Sequence, residues 1–169
     1  MSKRVIYVDL SPEGIDYAIK ELEKFWAEFK AACDTLVKQL TTLGVETAQS
    51  VLEYTTDGWT GQLEESIYTE SGWDENNRIG RVRTSVPYAA YVEFGTGIAG
   101  QFDSHPDAGT VGWVYDINGR GEAGWWYYNP NDDEWHWTIG EPAKPFMYTA
   151  YTRIRDNAGR YTATVFANF

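Results

Sequence analysis

One carboxylate stands alone in an apolar, tyrosine-rich stretch, and its chemistry bears on what the protein does. Glu93 lies in the segment SVPYAAYVEFGTG (85–97). An acid in these surroundings can serve as a catalytic base, belong to a phosphate-binding loop, or hold a turn together by accepting hydrogen bonds. The glycine-rich continuation FGTGIAG lacks the lysine of a P-loop, and no strand–loop–helix pattern surrounds it. Phosphate binding is therefore the weakest of the three interpretations.

Residues that commonly hold metals or act as nucleophiles are few. The chain has two histidines, His105 and His136, and one cysteine, Cys33. Asp103, His105 and Asp107 are near enough in sequence to share a cation, but such turns in acidic proteins are usually solvated, so we expect no metal and no cofactor. Cys33 falls on the apolar face of a predicted helix, where a thiol is usually inert. No serine occupies a Gly-x-Ser-x-Gly turn,.

Sugar cleavage is the remaining catalytic alternative. A glycoside hydrolase needs two carboxylates beside an aromatic-lined cleft. Glu93 with Glu122, Asp132 or Glu134 is conceivable, yet nothing in the sequence fixes such a pair in space. We therefore expect no enzymatic activity.

A structural role for Glu93 follows from its local sequence. Pro87 is suited to open a short helix that runs to Phe94 and ends at Gly95 in a left-handed cap. Glu93 would then lie near the backbone N–H groups of the 95–97 turn and accept several of them. An arginine of the 78–83 segment, or of a neighbouring subunit, is the alternative partner. The side chains expected to point inward are Tyr88, Tyr91 and either Phe94 or Val92.

Composition narrows the choice of partners. The 169 residues carry a net charge of −11, and 16% of them are aromatic, including 8 Trp and 12 Tyr. Proteins that bind nucleic acid through its phosphates are usually basic, whereas an acidic channel that DNA merely traverses fits this charge. Surplus aromatics suggest contact surfaces. A single cysteine fits a reducing compartment, and we expect neither a signal peptide nor a membrane span.

A long helix dominates the predicted secondary structure. VIYV (5–8) is a strand candidate, after which Ser11 is suited to the N-cap and Pro12 to the first helical position,. We expect a helix to Leu43, about 45 Å long, with Gly44 ending or bending it and 45–52 continuing as a second segment. It either covers a sheet or forms a seam between subunits, and the two roles are compatible. Its apolar stripe comprises Ile15, Ile19, Leu22, Trp26, Phe29, Cys33, Leu36, Leu40 and Leu43.

The rest of the chain predicts an α+β protein with one domain over 1–169. The long helix should pack on a mainly antiparallel sheet built from 78–86 and from the aromatic strands of an insertion at 98–140. These strand candidates are TVGWVYDI (110–117), AGWWYYN (123–129) and EWHWTIG (134–140), separated by Asn-Gly-Arg-Gly and Asn-Pro-Asn-Asp-Asp, and we expect them to form a meander or long hairpin that projects from the domain. A short helix or strand is expected to begin within residues 62–70. Residues 146–165 are compatible with a helix, but the sequence does not decide the secondary structure of the last ten residues. Arg78, Arg81 and Arg83 should be exposed. Trp113, Trp125, Trp126, Trp135 and Trp137 cannot all be buried by one sheet face, so we expect several to be buried only on assembly.

Three short elements resemble a known family. They are TGQLEESI (60–67), PYAAYVEFGTG (87–97) and GEPAKPFMYTA (140–150), and together they cover about a fifth of the chain. In this order they are similar to the tail-completion, or head–tail joining, proteins of long-tailed bacteriophages (the gene-product-ten-like group). Family members often carry a proline and a basic residue around the first element, whereas here Asp57 precedes it and Glu64 and Glu65 lie within it. The matching residues are Thr60, Gly61, Leu63, Ser66, Tyr88, Tyr91, Glu93, Gly95, Pro145 and Phe146.

This resemblance implies a virion structural protein without enzymatic activity. Such proteins form a ring, expected to be a homohexamer, on top of the finished tail tube. Its partners would be the tail tube or terminator protein on one side and a head-closure or adaptor protein on the other, with DNA only as passing cargo and no membrane. The location would be the virion neck, and the host cytoplasm during assembly. A tail-terminator or head-closure ring, and an aromatic glycan-binding module, are the alternatives.

Overall fold

The chain folds into an α+β structure, as the sequence predicts. The computed structural model describes residues 5–55, 61–116, 123–130, 132–167 and 169. Within these ranges the helices are α1 (Pro12–Thr55), α2 (Gln62–Glu65), α3 (Ala89–Phe94), α4 (Gly97–Phe102), α5 (Ala108–Val111) and α6 (Phe146–Val165). The strands are β1 (Ile67–Asp74), β2 (Asn77–Thr84), β3 (Trp125–Asn129) and β4 (Glu134–Thr138).

Helix α1 begins where its capping residues predict. The Ser11 hydroxyl accepts a hydrogen bond from the Gly14 N–H at 3.1 Å, and Pro12 is the first helical residue,. The strand predicted for 5–8 is wrong, because these residues form neither helix nor strand. β-branched residues alone do not make a strand when no second strand pairs with them.

Gly44 does not end α1. The helix continues past this residue to Thr55, and its total length is 44 residues, or about 66 Å,. A β-carbon at Gly44 would lie 2.7 Å from Ile154 of α6 and 2.8 Å from Val82 of β2. Glycine therefore serves close packing here, and the prediction of a helix end at Gly44 is wrong.

Helix α6 packs antiparallel on α1 and ends at Val165, so it includes the first six of the ten C-terminal residues that the sequence left undecided. Its middle lies against Gly44, and the Phe166 ring beyond its end lies 5.6 Å from the Phe29 ring. The core forms where α1, α2, β1, α3 and α6 meet. It consists of Ala48, Leu52, Leu63, Ile67, Ala89, Val92, Phe146 and Ala150.

The apolar stripe of α1 is covered only in part. The residues that follow α6 contact Phe29 and Phe25, and the Phe25 ring lies 5.9 Å from the Phe169 ring. Residues 12–24, which we call the α1 arm, continue for about 20 Å beyond that point. On the arm and just after it, Ile15, Ile19, Leu22 and Trp26 are 44–57% exposed.

The strands form two separate hairpins. β1 pairs with β2 from Ile67 opposite Thr84 to Asp74 opposite Asn77, and this hairpin packs on α1. β3 pairs with β4, and in the described residues the two hairpins do not join. The single sheet expected from 78–86 and the aromatic strands is therefore wrong. The strand expected at 110–117 is also wrong over its described residues, 110–116, where α5 ends at Val111 and Gly112 follows with a φ of 67°.

One of three arginines predicted to be exposed is not. The Arg78 side chain is largely covered and forms an ion pair with Asp34 of α1. Arg81 and Arg83 are exposed as predicted, and Arg83 pairs with Glu70 across the hairpin.

Candidate functional site

Helix α3 buries the face that carries Glu93. Ala89, Val92 and Glu93 are three and four residues apart, so they share one side of the helix, and all three are buried,. Tyr91 lies on another side and is exposed, which corrects the prediction that it points inward. Tyr88 is partly buried.

The Glu93 carboxylate caps a helix that begins more than fifty residues later. Oε2 accepts the backbone N–H of Met147 and Oε1 that of Tyr148, both at 2.8 Å. These amides belong to the first turn of α6, where backbone N–H groups have no partner within the helix. Pro145, at the N-cap, has no side chain that can accept them. A carboxylate here also interacts favourably with the helix dipole.

The acceptor role predicted for Glu93 agrees with the structure, but the predicted donors do not. Neither the 95–97 turn nor an arginine of β2 supplies a hydrogen bond in the described residues; the donors are the α6 amides and His105. A signal for this pairing was present in the sequence. A helix that begins after Pro145 without a capping side chain needs an acceptor from elsewhere, and Glu93 was the isolated carboxylate available.

His105 completes the cluster around the carboxylate. The Asp107 N–H donates to Nδ1 at 3.0 Å, so the ring proton lies on Nε2, which donates to Glu93 Oε1 at 3.0 Å,. The ring lies 4.3 Å from that of Phe94 and 5.2 Å from that of Tyr148. His105 is only 4% exposed, so the prediction of a solvated turn at 103–107 is wrong for this residue.

A carboxylate–imidazole pair also occurs in catalytic sites, which makes its accessibility decisive. Glu93 is 6% exposed and receives three donors, and His105 is engaged at both ring nitrogens. A general base must reach its substrate directly or through one water. This arrangement holds two helices in place and presents no open face to a reactant.

The second and third family-like elements interlock next to this cluster. The Thr96 N–H donates to the Glu141 carbonyl at 2.9 Å, and the Glu141 N–H donates back at 3.2 Å. Gly95 ends α3 with a φ of 78°, as predicted, although its ψ of 170° lies outside the left-handed helical region. A side chain at Gly95 would come within 2.7 Å of the Ala143 nitrogen, and one at Gly140 would collide with the Thr96 carbonyl. We use the name latch for the paired segments 95–96 and 140–141 together with Glu93 and His105.

Trp113, predicted as an interface residue, packs against the latch. Its indole N–H donates to the Gly95 carbonyl at 3.0 Å, and its ring lies 4.9 Å from that of Phe94 and 5.7 Å from that of Tyr91. The Lys144 N–H donates to the Val92 carbonyl at 2.9 Å, which adds a further connection between α3 and the start of α6.

The first family-like element lies apart from Glu93 but meets the others in the core. Gly61 has a φ of 74°, which favours glycine, and Leu63 packs in the same cluster as Phe146,. The Ser66 hydroxyl donates to the Leu63 carbonyl at 2.7 Å. Thr60 lies outside the described residues.

The β3–β4 hairpin presents its aromatic side chains to solvent. Its register places Trp126 opposite Trp137 and Tyr128 opposite Trp135 on one face, with ring centroids 5.6 and 5.7 Å apart. These four side chains, which we call the aromatic platform, are 45–65% exposed. Trp125 lies on the other face and is partly buried against Gly97.

Other kinds of site are not evident in the part of the chain that the structure describes. No group of three or more His, Cys, Asp or Glu side chains in these ranges is arranged to hold a metal ion. None of the described helices is both long enough and apolar enough to cross a membrane. Comparison with protein-family models, curated proteins and solved structures found no match to this chain.

Proposed function

We propose that the protein is a virion structural protein, the subunit of a ring that completes a bacteriophage tail, joins it to the head and lets DNA pass. The observation that carries this proposal is the apolar surface left exposed at two places on one chain. The four rings of the platform, each about half exposed, offer roughly 400 Å² at about 150–250 Å² per aromatic side chain. Contiguous patches of this size commonly mark interaction sites.

The second exposed apolar surface is the α1 arm, which lies near the opposite end of α6 from the aromatic platform. The α1 arm projects beyond Phe29, near the C-terminal end of α6, whereas the hairpin is rooted at Gly140, near its N-terminal end. Two separate exposed apolar surfaces let one subunit contact more than one neighbour, and contacts between unlike surfaces close into rings when the rotation permits.

The latch and the charge support the same proposal. Glu93 and His105 are buried and fully engaged, which suits a rigid building block better than a catalyst. The surplus of acidic residues, 25 against 14 basic, suits a conduit that must not retain DNA,. The resemblance of the three sequence elements to tail-completion proteins supplies the specific position in the virion.

The experiment is electron microscopy of lysates from a phage that carries this gene with an early stop codon. DNA-filled heads beside full-length, unattached tails are expected, and a plasmid copy of the gene should restore joined particles. Tails of irregular length would assign the protein to tail termination instead. Normally joined, infectious particles would reject a structural role in the neck.

The aromatic platform also favours a second candidate, a glycan-binding module. Exposed tryptophans beside carboxylates are a common way to hold a sugar ring. Titration of tryptophan fluorescence with host wall polysaccharide, with Trp135→Ala as the control variant, tests it: saturable binding that this variant loses would favour the glycan-binding role.

A further inference from the structure

Charge is distributed unevenly along the chain. Residues 85–143, which include the latch and the hairpin, contain nine acidic residues and one basic residue. Residues 144–169, which include α6, contain four basic residues and one acidic residue. A strongly acidic segment and a basic segment on one chain can attract each other between copies.

The basic residues of α6 lie on two sides of the helix. Arg153 and Arg160 are seven residues apart, so they lie on the same side two turns apart, and both are exposed,. The Arg160 guanidinium lies 5.1 Å from the ring centroid of Tyr161, and arginine stacked on an aromatic ring can still form paired hydrogen bonds with a carboxylate,. Arg155 lies on another side, 5.7 Å from the ring centroid of Tyr151, and pairs with Asp156. We call Arg153 and Arg160 the basic face of α6.

The hairpin offers the complementary chemistry. Its turn carries Asp132, Asp133 and Glu134, all exposed, immediately beside the aromatic platform. The Tyr128 hydroxyl donates to the Asp133 carboxylate, so the acidic tip and the platform form one surface. Strands β3 and β4 pack on each other, and the hairpin is held at its root through Gly97 and Ile139 rather than along α6.

We propose that the acidic, aromatic hairpin of one copy docks on the basic face of α6 of the next copy. The proposal deepens the proposed function, on which it rests, by assigning which surfaces of the ring subunits meet. A hairpin-to-hairpin contact would bring like charges together, which is unfavourable. Nucleic acid would be attracted to α6 alone and repelled by the exposed acidic residues that precede it.

The expected strength follows from the size of the contact. The platform contributes roughly 400 Å² of apolar surface, and stable interfaces bury about 1,200–2,000 Å² in total. A single contact of this kind is weak. A ring strengthens it, because each subunit makes two such contacts and closure makes the last one intramolecular.

Charge reversal of the full-length protein, followed by sedimentation velocity over a range of concentrations, tests the contact. One variant reverses the tip (Asp132→Lys, Asp133→Lys and Glu134→Lys), and a second reverses the face (Arg153→Glu and Arg160→Glu). Each should weaken self-association at least about tenfold. The variant that combines all five changes should recover association to within about threefold of the wild type.

Mixing and matched controls make the result specific. The tip-reversed and face-reversed proteins should co-assemble when mixed, at concentrations where each alone stays largely monomeric. Arg81→Glu, an exposed reversal on β2, should leave association unchanged, and circular dichroism should show that every variant is folded.

Three outcomes would overturn the inference: a wild type that stays monomeric at its highest attainable concentration, a combined variant that does not recover, or an Arg81→Glu effect as large as that of the face. Loss of binding to a short DNA duplex in the face variant, with self-association intact, would assign the face to phosphates instead. Because this experiment needs no phage, normal virions from the stop-codon phage would reject the neck function while leaving the contact standing.

Discussion

Replacing Glu93 tests whether the latch is structural. Glu93→Gln keeps the length of the side chain but removes its charge and exchanges one acceptor oxygen for an NH₂ group. That NH₂ group would face a donor, whichever way the amide turns, because the donors approach both oxygens. The structure therefore predicts that glutamine cannot substitute for glutamate at this position.

The magnitude follows from the three hydrogen bonds. A hydrogen bond to a charged group contributes about 1.5–3 kcal/mol, and a carboxylate at a partly buried helix N-terminus gains up to about 2 kcal/mol more. Glu93→Gln should lower the free energy of unfolding by about 2–4 kcal/mol. Glu93→Ala leaves three buried donors without an acceptor and should cost about 3–5 kcal/mol or more.

Urea unfolding followed by circular dichroism at 222 nm provides the measurement, because most of the described chain is helical. For a domain of this size each kcal/mol corresponds to roughly 2–4 °C in Tm, so Glu93→Gln should lose about 4–16 °C. Glu65→Gln removes an exposed carboxylate from α2 and should change stability by less than about 0.5 kcal/mol,. His105→Phe should also lower the free energy of unfolding, by less than Glu93→Gln does. The same change should lower it much less when Glu93 is already replaced by alanine, because the hydrogen bond between the two side chains is then absent.

An opposite outcome would point to catalysis. Residues that serve chemistry often reduce stability, so their replacement leaves a protein as stable as before or more stable. If Glu93→Gln had the stability of the wild type, the latch interpretation would be refuted and a search for an activity lost in that variant would follow.

The other predictions concern glycines and a surface ion pair. Gly140→Ala should destabilise the protein by more than about 2 kcal/mol, because Gly140 has a φ of 99° and a β-carbon there would collide with the Thr96 carbonyl,. Gly159→Ala, in open space within α6, should stabilise it by about 0.5–1 kcal/mol, and thermal unfolding of both variants tests the contrast,. The hydrogen bond and the charge of Arg83 lower the pKa of Glu70, so this pair contributes stability above the ordinary pKa of the carboxyl that is lost as pH falls through the lowered value,. In Arg83→Met the pKa of Glu70, followed by NMR, should return to its ordinary range, and an unchanged value would show that the pair does not form in solution.

Local signals in the sequence predict the parts of the fold that local chemistry determines. Ser11 and Pro12 mark the start of α1 because capping depends on neighbouring residues only. Gly95 ends α3 for a similar reason. The NPNDD turn correctly indicates a hairpin between two aromatic strands, because turn residues and β-prone flanks lie next to one another in the sequence,.

Features that depend on contacts between residues distant in the sequence could not be predicted from local sequence patterns. Gly44 has the local character of a helix end, yet its role is set by Ile154 and Val82, which approach it from other elements. The sequence predicts a solvated turn around His105, because nothing near this residue in the sequence reveals the buried carboxylate that it contacts. The acceptor function of Glu93 was predictable from its apolar surroundings, but its donors lie 54 and 55 residues away.

The α1 arm poses the remaining physical question of why a helix continues beyond the body that supports it. A free helix of about thirteen residues is marginal in water, so the arm depends on its continuity with the packed part of α1 or on a partner. Its exposed Ile15, Ile19 and Leu22 follow the same stripe that is buried further along the helix. The sequence therefore encodes an apolar face there that the described part of the chain leaves about half exposed.

Hydrogen exchange measured by mass spectrometry distinguishes the two sources of support. In the isolated protein, peptides from residues 12–24 should exchange rapidly, because the arm opens at a small free-energy cost, while peptides from 45–52 should be protected by the core. In assembled particles the arm peptides should become protected and the core peptides should stay as they were. Equal protection of both segments in the monomer would mean that the chain covers its own arm. The stripe would then be ordinary core, and the platform would be the only exposed apolar surface left, among the described residues, to support assembly.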